Sequence, residues 1–274
     1  MSRTLELNRV EDQGICEALL SSPRWVVAGK KTVDELVVMV GKSFLGIPYK
    51  ENTIESEGIE TLVVNLRQFD CFTFVENVIV LAQLIHAGKT GFDDFIVQLK
   101  KIRYRQGAVA GYASRLHYFS DWLDDNREKG MVSDITAEIG GTRVLKEIHF
   151  MTKHPGNYPA MKDGSSCREI MAVEKRLSAA PRYVIPKAGF WQFEGRIGDG
   201  NLIGITTDVE GLDVSHTGFA VWMNEHVHLL HASQKEGRVV ISENTLGSYL
   251  SEGTARSGIM VGQVLTCRNV SQDH

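Results

Sequence analysis

From Cys71 to Ile85 the chain is apolar at nearly every position, and this stretch constrains the fold more than any other. Phe72, Phe74, Val75, Val78, Ile79, Val80, Leu81, Ala82, Leu84 and Ile85 leave no broad polar face, and the run stops at Gly88. Such a pattern reads as a buried helix that other elements must cover. Asp70 is a suitable N-cap, which puts Cys71 in the first turn. Unpaired backbone N–H groups and the positive end of the helix dipole there favour thiolate over thiol. A free cysteine is also a common filler of protein cores, so position alone does not make Cys71 a nucleophile.

Around this run the chain shows two regimes. Helical spacing occupies 9–21 and 31–45, where Val33, Leu36, Val37, Met39, Val40 and Phe44 recur on one side. Leu45-Gly46-Ile47-Pro48-Tyr49 ends the second helix as a turn, and 61–66 reads as a short strand leading into the Cys71 helix. Further helices are expected at 92–104 and 115–127, and another from Cys167 to Ala179 after Ser165-Ser166. After Pro181 the spacing changes to alternation, with strands expected at 201–206, 214–222, 226–232, 238–242 and 259–265. Short loops at 223–225 and 234–237 point to antiparallel hairpins. The fold class is therefore α+β. No repeat or linker divides it, so 1–274 reads as one elaborated domain, helical over about 1–180 and sheet over about 181–270.

Composition removes several classes of function. A net charge of −4 with Lys and Arg scattered among acids offers no basic stripe for nucleic acid. No segment is long and apolar enough to span a bilayer, and the first residues lack the apolar core of a signal peptide. Either the protein is cytoplasmic or an export signal has been removed ahead of it. Cys16, Cys71, Cys167 and Cys267 are too far apart for a zinc or disulfide framework, although Cys16 and Cys267 could pair in an oxidising compartment.

A thiol that hydrolyses amides needs a base, and the base needs an orienting group. Histidine serves as base because its pKa lies near neutrality. Alternation puts His216 on one face with Gly218, Ala220 and Trp222, small neighbours that would let a helix pack closely above. It puts His231 with Val227 and Leu229 on the apolar side, while His226 and His228 face water. His226 and His228 have the i, i+2 spacing of a metal pair, but nothing is placed to complete a ligand set.

A cysteine opening a helix, followed by histidines on two adjacent strands, resembles the NlpC-type branch of papain-like cell-wall hydrolases. The matching residues are Tyr49, Asp70-Cys71, the 198–203 strand entry, His216-Thr217-Gly218 and His231-Ala232-Ser233. The resemblance implies an NlpC-type papain-like core, with the nucleophile helix packed on an antiparallel sheet and helical insertions added. It implies Cys71 as nucleophile, His216 as base and His231 as orienter; apart from the resemblance, Ser215 or Asp213 could also support the base. It also gives the Cys71 amide a place in the oxyanion hole, and puts Tyr49 in the cleft as a possible second donor. Typical members carry Trp-Gly-Gly after the tyrosine and Ser-Gly after the cysteine, whereas here Lys50-Glu51-Asn52 and Phe72-Thr73-Phe74-Val75-Glu76-Asn77 follow.

Asp-Cys-x-Thr-Phe-Val-Glu-Asn instead resembles a subfamily described as N-acetylmuramoyl-L-alanine amidase-like. Its second run is matched by Tyr112-Ala113-Ser114-Arg115-Leu116-His117-Tyr118 with Asp121-Trp122. The resemblance implies a cysteine amidase acting on peptidoglycan or muropeptides at the muramoyl-L-alanine bond. The alternatives are a D-glutamyl-diaminopimelate endopeptidase and an inactive cell-wall binding protein. Tyr49, Asp70, Arg115, His117, Tyr118, Ser215 and Thr217 are the expected substrate-binding residues. Asp70 could only cap the helix or also bind a substrate amine. Arg115 and His117 could contact the anionic peptide or the muramic acid, or simply lie at a helix start capped by Ser114. Glu76 and Asn77 are expected to form structural hydrogen bonds. No metal or organic cofactor is implied, a monomer is expected, and the substrate suggests a periplasmic or cell-envelope location.

Overall fold

The computed structural model describes residues 3–27, 31–55, 58–162 and 164–266. Its helices are α1 (Arg3–Leu20), α2 (Arg24–Val27), α3 (Val33–Ser43), α4 (Cys71–His86), α5 (Phe92–Arg103), α6 (Phe119–Glu128), α7 (Phe150–Lys153), α8 (Gly164–Ala179) and α9 (Leu246–Glu252). Its strands are β1 (Val132–Asp134), β2 (Thr142–Val144), β3 (Arg182–Pro186), β4 (Leu202–Thr207), β5 (Val214–Met223), β6 (His226–Ser233), β7 (Arg238–Ile241) and β8 (Arg256–Val264). The strands form an antiparallel sheet in the order β2-β3-β8-β4-β5-β6-β7, with β1 paired to β8. The fold is α+β.

Helix α4 is the centre of the larger core. Phe74, Val75, Val78, Ile79, Val80, Leu81, Ala82 and Leu84 are all buried, as are its polar residues Glu76, Asn77 and Gln83. Each of those polar side chains has an internal partner, as burial requires. Glu76 Oε2 accepts from Arg103 Nε at 2.6 Å, Asn77 bonds the Thr73 carbonyl at 2.7 Å, and Gln83 bonds the carbonyls of Met131 and Leu265. Helices α3 and α5 share this core with α4, and the Phe74 ring meets Phe219 of β5 edge-on at 6.0 Å.

The other face of the sheet carries a second core, in which Ile203, Ala220, Val227, Leu229 and Ile259 pack with Phe190, Leu246 and Leu250. The face shared by His216, Gly218 and Ala220 is thus covered by α9, a helix for which the small residues leave room, while the nucleophile helix packs on the opposite face. The reason is that Phe219 and Val221, one register step away, supply the larger apolar surface and take α4.

Three other expectations are corrected. Residues 61–66 are not a strand. Their backbone is satisfied by side chains, with Thr61 O accepting from the Tyr104 hydroxyl, Val63 O from Arg103 Nη1 and Leu66 N–H donating to Asp12 Oδ1. The helix expected from 115 begins at Phe119, because 112–114 form a 3-10 turn and Arg115 bridges to Tyr104. Ser114 therefore caps no helix, and its hydroxyl bonds the Gly111 carbonyl. Helix α8 takes in Ser165 and Ser166, starting at Gly164. Cys16 is fully buried, and burial pushes its thiol up to about 12. Its suggested partner Cys267 lies outside the described residues.

Candidate active site

Asp70 sets the position of the cysteine. Its Oδ1 accepts from the Phe72 and Thr73 N–H groups at 3.0 and 2.8 Å, and Thr73 Oγ1 accepts the Asp70 N–H at 3.0 Å. This reciprocal cap fixes the entry to α4, so Cys71 is its first residue. Tyr49 is brought alongside by a short bridge to Phe69, with Lys50 N–H on Phe69 O at 2.9 Å and Phe69 N–H on Pro48 O at 3.1 Å.

The sheet delivers the histidines. His216 stands near the start of β5 beside an irregularity in β4 between Ile205 and Thr206, where a bulge re-aims neighbouring side chains. Phe219 pairs with Leu230, so His231 on β6 comes level with Gly218 and shares the His216 face. A Cβ at 218 would lie 2.7 Å from the Leu230 carbonyl and 2.9 Å from His231 Cβ, so only glycine fits there. His216 Nε2 and His231 Nδ1 are 2.5 Å apart. One of them must donate. If His216 donates, its Nδ1 is left as the free basic nitrogen.

Cys71 meets this pair through the strand backbone. Its sulfur faces the N–H of Thr217, the residue after His216, and the N–H groups of Cys71 and Phe72. These amides favour a thiolate, but burial and then the neighbouring Asp70 carboxylate outweigh them and push the thiol up to about 12. The expectation of a lowered Cys71 pKa is therefore reversed. A helix N-terminus helps a charge, yet it does not replace the water that packing removes. Burial likewise lowers His216 to about 3, with His231 and Arg256 adding to it, and lowers His231 to about 4, with Arg256 adding. At neutral pH the site holds a neutral thiol beside neutral imidazoles.

Tyr49 stays protonated, since burial above all, and the nearby Glu51 and Asp70 carboxylates, oppose its ionisation. The Thr217 hydroxyl is spent on Ile203 O at 2.8 Å, so only its backbone N–H faces the sulfur. Ser215 is exposed and lines a cavity with both histidines. Asp213 is committed elsewhere, accepting from Ser120 N–H and Oγ and from Val214 N–H.

Arg115, His117 and Tyr118 are held by internal partners. Arg115 is buried, with Nη2 on Glu55 Oε1 at 2.7 Å and Nε 3.5 Å from Glu60 Oε1. His117 Nε2 bonds the Tyr112 carbonyl at 2.9 Å, and burial lowers its pKa to about 3. The Tyr118 hydroxyl donates to Glu174 and accepts from the Met151 N–H. Arg115 instead ties down the loop that follows Tyr49, since Nη1 also reaches Ile54 O at 3.4 Å. His228, expected to face water, is buried with Nδ1 2.8 Å from the Ser242 carbonyl, because β7 and the chain beyond it cover that side.

Two residues by the histidines escaped the sequence reading. Tyr249 of α9 has its ring centroid 6.3 Å from that of His216 and 5.7 Å from that of His231, and Arg256 at the start of β8 lies over Tyr249. A signal existed for Tyr249, since Thr245 caps a helix whose Leu246, Tyr249 and Leu250 have helical spacing. Among the described residues no group of three or more His, Cys, Asp or Glu is arranged to hold a metal ion. No helix among them is long and apolar enough to cross a membrane.

The fold and site define an α+β protein with a capped, helix-leading cysteine set against a histidine pair on an antiparallel sheet. The chain belongs to the AmiA-like family, N-acetylmuramoyl-L-alanine amidase-like, which matches residues 39–259. It is similar to the crystal structure of an N-acetylmuramoyl-L-alanine amidase from Bacteroides uniformis, at 32% identity and a TM-score of 0.80, over 85% of this chain and 98% of that one. It is also similar to a Bacteroides fragilis protein whose name proposes a xylanase, at 35% identity and a TM-score of 0.78, over 82% of this chain and 100% of that one. A Legionella pneumophila protein at 20% identity shares the fold, with a TM-score of 0.71 over 95% of this chain and 96% of that one. No curated protein matches.

Proposed function

We propose that the protein is a papain-like cysteine amidase of the bacterial cell envelope, cutting the amide between the lactyl group of N-acetylmuramic acid and L-alanine. The observation that carries this reading is the sulfur of Cys71 facing the Thr217 amide, next to a His216 whose Nε2 is 2.5 Å from His231 Nδ1. Family membership and the Bacteroides uniformis amidase support the choice of substrate.

The chemistry starts from neutral partners. His216 donates its Nε2 proton to His231 Nδ1 in a hydrogen bond, which leaves Nδ1 as the base. As Sγ attacks the lactyl carbonyl carbon, the thiol proton passes to His216 Nδ1. Negative charge develops on the carbonyl oxygen, where the Cys71 N–H and the Tyr49 hydroxyl are the proposed donors. The tetrahedral intermediate collapses as His216 returns that proton to the alanine nitrogen, and the C–N bond breaks. Water then loses a proton to His216 and attacks the thioester, releasing the lactyl carboxyl group and restoring the thiol.

A glycosidase reading, which the xylanase name would suggest, fits the site less well. It needs two carboxylates flanking the glycosidic bond. Here Asp70 caps α4 and Asp213 is held by Ser120 and Val214. Mass spectrometry of a muropeptide digest tests the choice of bond. The expected products are a peptide beginning with L-alanine and a sugar ending in a free lactyl carboxyl group. A peptide cleaved after D-glutamate would make the protein an endopeptidase instead.

A further inference from the structure

A polar cavity of about 750 Å3 opens beside the histidine pair, lined by His216, His231, Tyr249, Arg256, Ser233 and Gln234 among others. Arg256 is held within it from several sides. Its guanidinium carbon lies 3.7 Å from the Tyr249 ring centroid, Nη1 donates to the Tyr249 carbonyl, and its backbone is fixed by pairing with Thr207 of β4. Its stem crosses Gly253, where a Cβ would come within 2.5 Å of Cδ. That glycine leaves room for the arginine to fold over the tyrosine.

A guanidinium in such surroundings normally answers a carboxylate, and Arg256 has none among the described residues. It takes part in no ion pair among the described residues, and Glu252, which also lines the cavity, accepts at its Oε1 from Asn244 Nδ2 at 2.6 Å. Lys235, Arg238, Glu236 and Glu243, which also line the cavity, are exposed and of mixed sign, so Arg256 is its one immobilised cation among the described residues. An immobilised guanidinium presents its donors as a planar fork that suits a carboxylate. Both imidazoles line the cavity and feel its charge, so an anion bound here would lie beside the base and its orienting partner.

We infer that Arg256 anchors a carboxylate of the substrate in this cavity and makes the protein select peptides with a free carboxylate over the corresponding amide. The inference rests on the proposed amidase reading and names the α-carboxylate of the D-glutamate that follows L-alanine, the group that D-isoglutamine carries as an amide. Arg256 is then a specificity-determining residue, distinct from the groups that move protons.

Calorimetric binding to the full chain carrying Cys71→Ala tests it, with N-acetylmuramoyl-L-alanyl-D-glutamate and its D-isoglutamine counterpart as the two probes. The carboxylate probe should bind about 10- to 100-fold more tightly, as losing a charge-assisted hydrogen-bonded pair implies. Adding Arg256→Gln should remove that preference while leaving the amide probe's affinity in place, and Arg256→Lys should retain part of it. Equal binding of the two probes, equal weakening of both by Arg256→Gln, or binding of neither would overturn the anchor. Turnover by the otherwise unaltered chain separates this from the reading beneath it. Cleavage of both compounds with equal KM overturns the anchor alone, whereas carboxylate-selective binding without cleavage of either overturns the amidase reading and keeps the anchor.

Discussion

His216 Nε2 lies 2.5 Å from His231 Nδ1, so the two imidazoles share one hydrogen bond and their tautomers are linked. His216 can act as a base at Nδ1 only if His231 accepts at its Nδ1. Replacing His231 with Ala should therefore remove an orienting partner and leave the base in place. His216→Ala should lower kcat by about 10²- to 10⁴-fold, the range for losing a general base, and His231→Ala by less. Steady-state kinetics on a muropeptide checks this, and equal losses would make the second imidazole as necessary as the first.

The raised pKa of Cys71 has a direct chemical readout. Because burial and Asp70 hold the thiol at about 12, iodoacetamide should alkylate it slowly at pH 7. The rate should climb about tenfold per pH unit as the thiolate fraction grows. Asp70→Asn keeps a good capping group but removes the carboxylate, so its curve should shift to lower pH. A rate already high and flat between pH 5 and 8 would mean that a thiolate–imidazolium pair forms before substrate arrives.

Three histidines bind protons poorly in the folded chain, with His117 and His216 lowered to about 3 and His231 to about 4 from an ordinary 6.5. The unfolded chain takes up those protons first, so stability is intact above pH 6.5 and falls as pH drops from there toward 4. Each imidazole contributes a slope of up to about 1.4 kcal/mol per pH unit inside its window. Tm measured from pH 8 to 4 should fall over the acid half, and His117→Gln should flatten that fall.

Glu76 and Arg103 form an ion pair at 2.6 Å with side chains only 2% exposed, at the junction of α4, α5 and the 61–66 segment. Removing one partner strands a buried charge, a loss of about 3–5 kcal/mol. Arg103→Met should lower the urea midpoint accordingly. A change within error would show that water reaches Glu76.

Much of this arrangement could be read from the chain because its signals are local. The Asp70 cap, the apolar run of α4 and the alternation through β4 to β8 depend on neighbours in sequence, and each of those elements formed near its expected bounds. Parity sorts the histidines within β5 and within β6, whereas the pairing of Phe219 with Leu230 is what puts His216 and His231 on one face. What could not be read depends on distant partners. β1 and β2 are three-residue strands made by pairing with β8 and β3. Residues 61–66 have strand-like composition, but arginine, tyrosine and aspartate side chains take the backbone bonds a sheet would have used. The charge state of Cys71 also escaped, because the helix end is visible in sequence and the packing around the sulfur is not.

Cys71 is the residue proposed to form the bond to substrate. Release of L-alanyl peptide from a purified muropeptide, followed by chromatography for the unaltered chain and for Cys71→Ala, tests it most directly. The unaltered chain should release peptide and Cys71→Ala none, with both melting at the same temperature. Continued release by a folded Cys71→Ala protein would mean that another group attacks the amide.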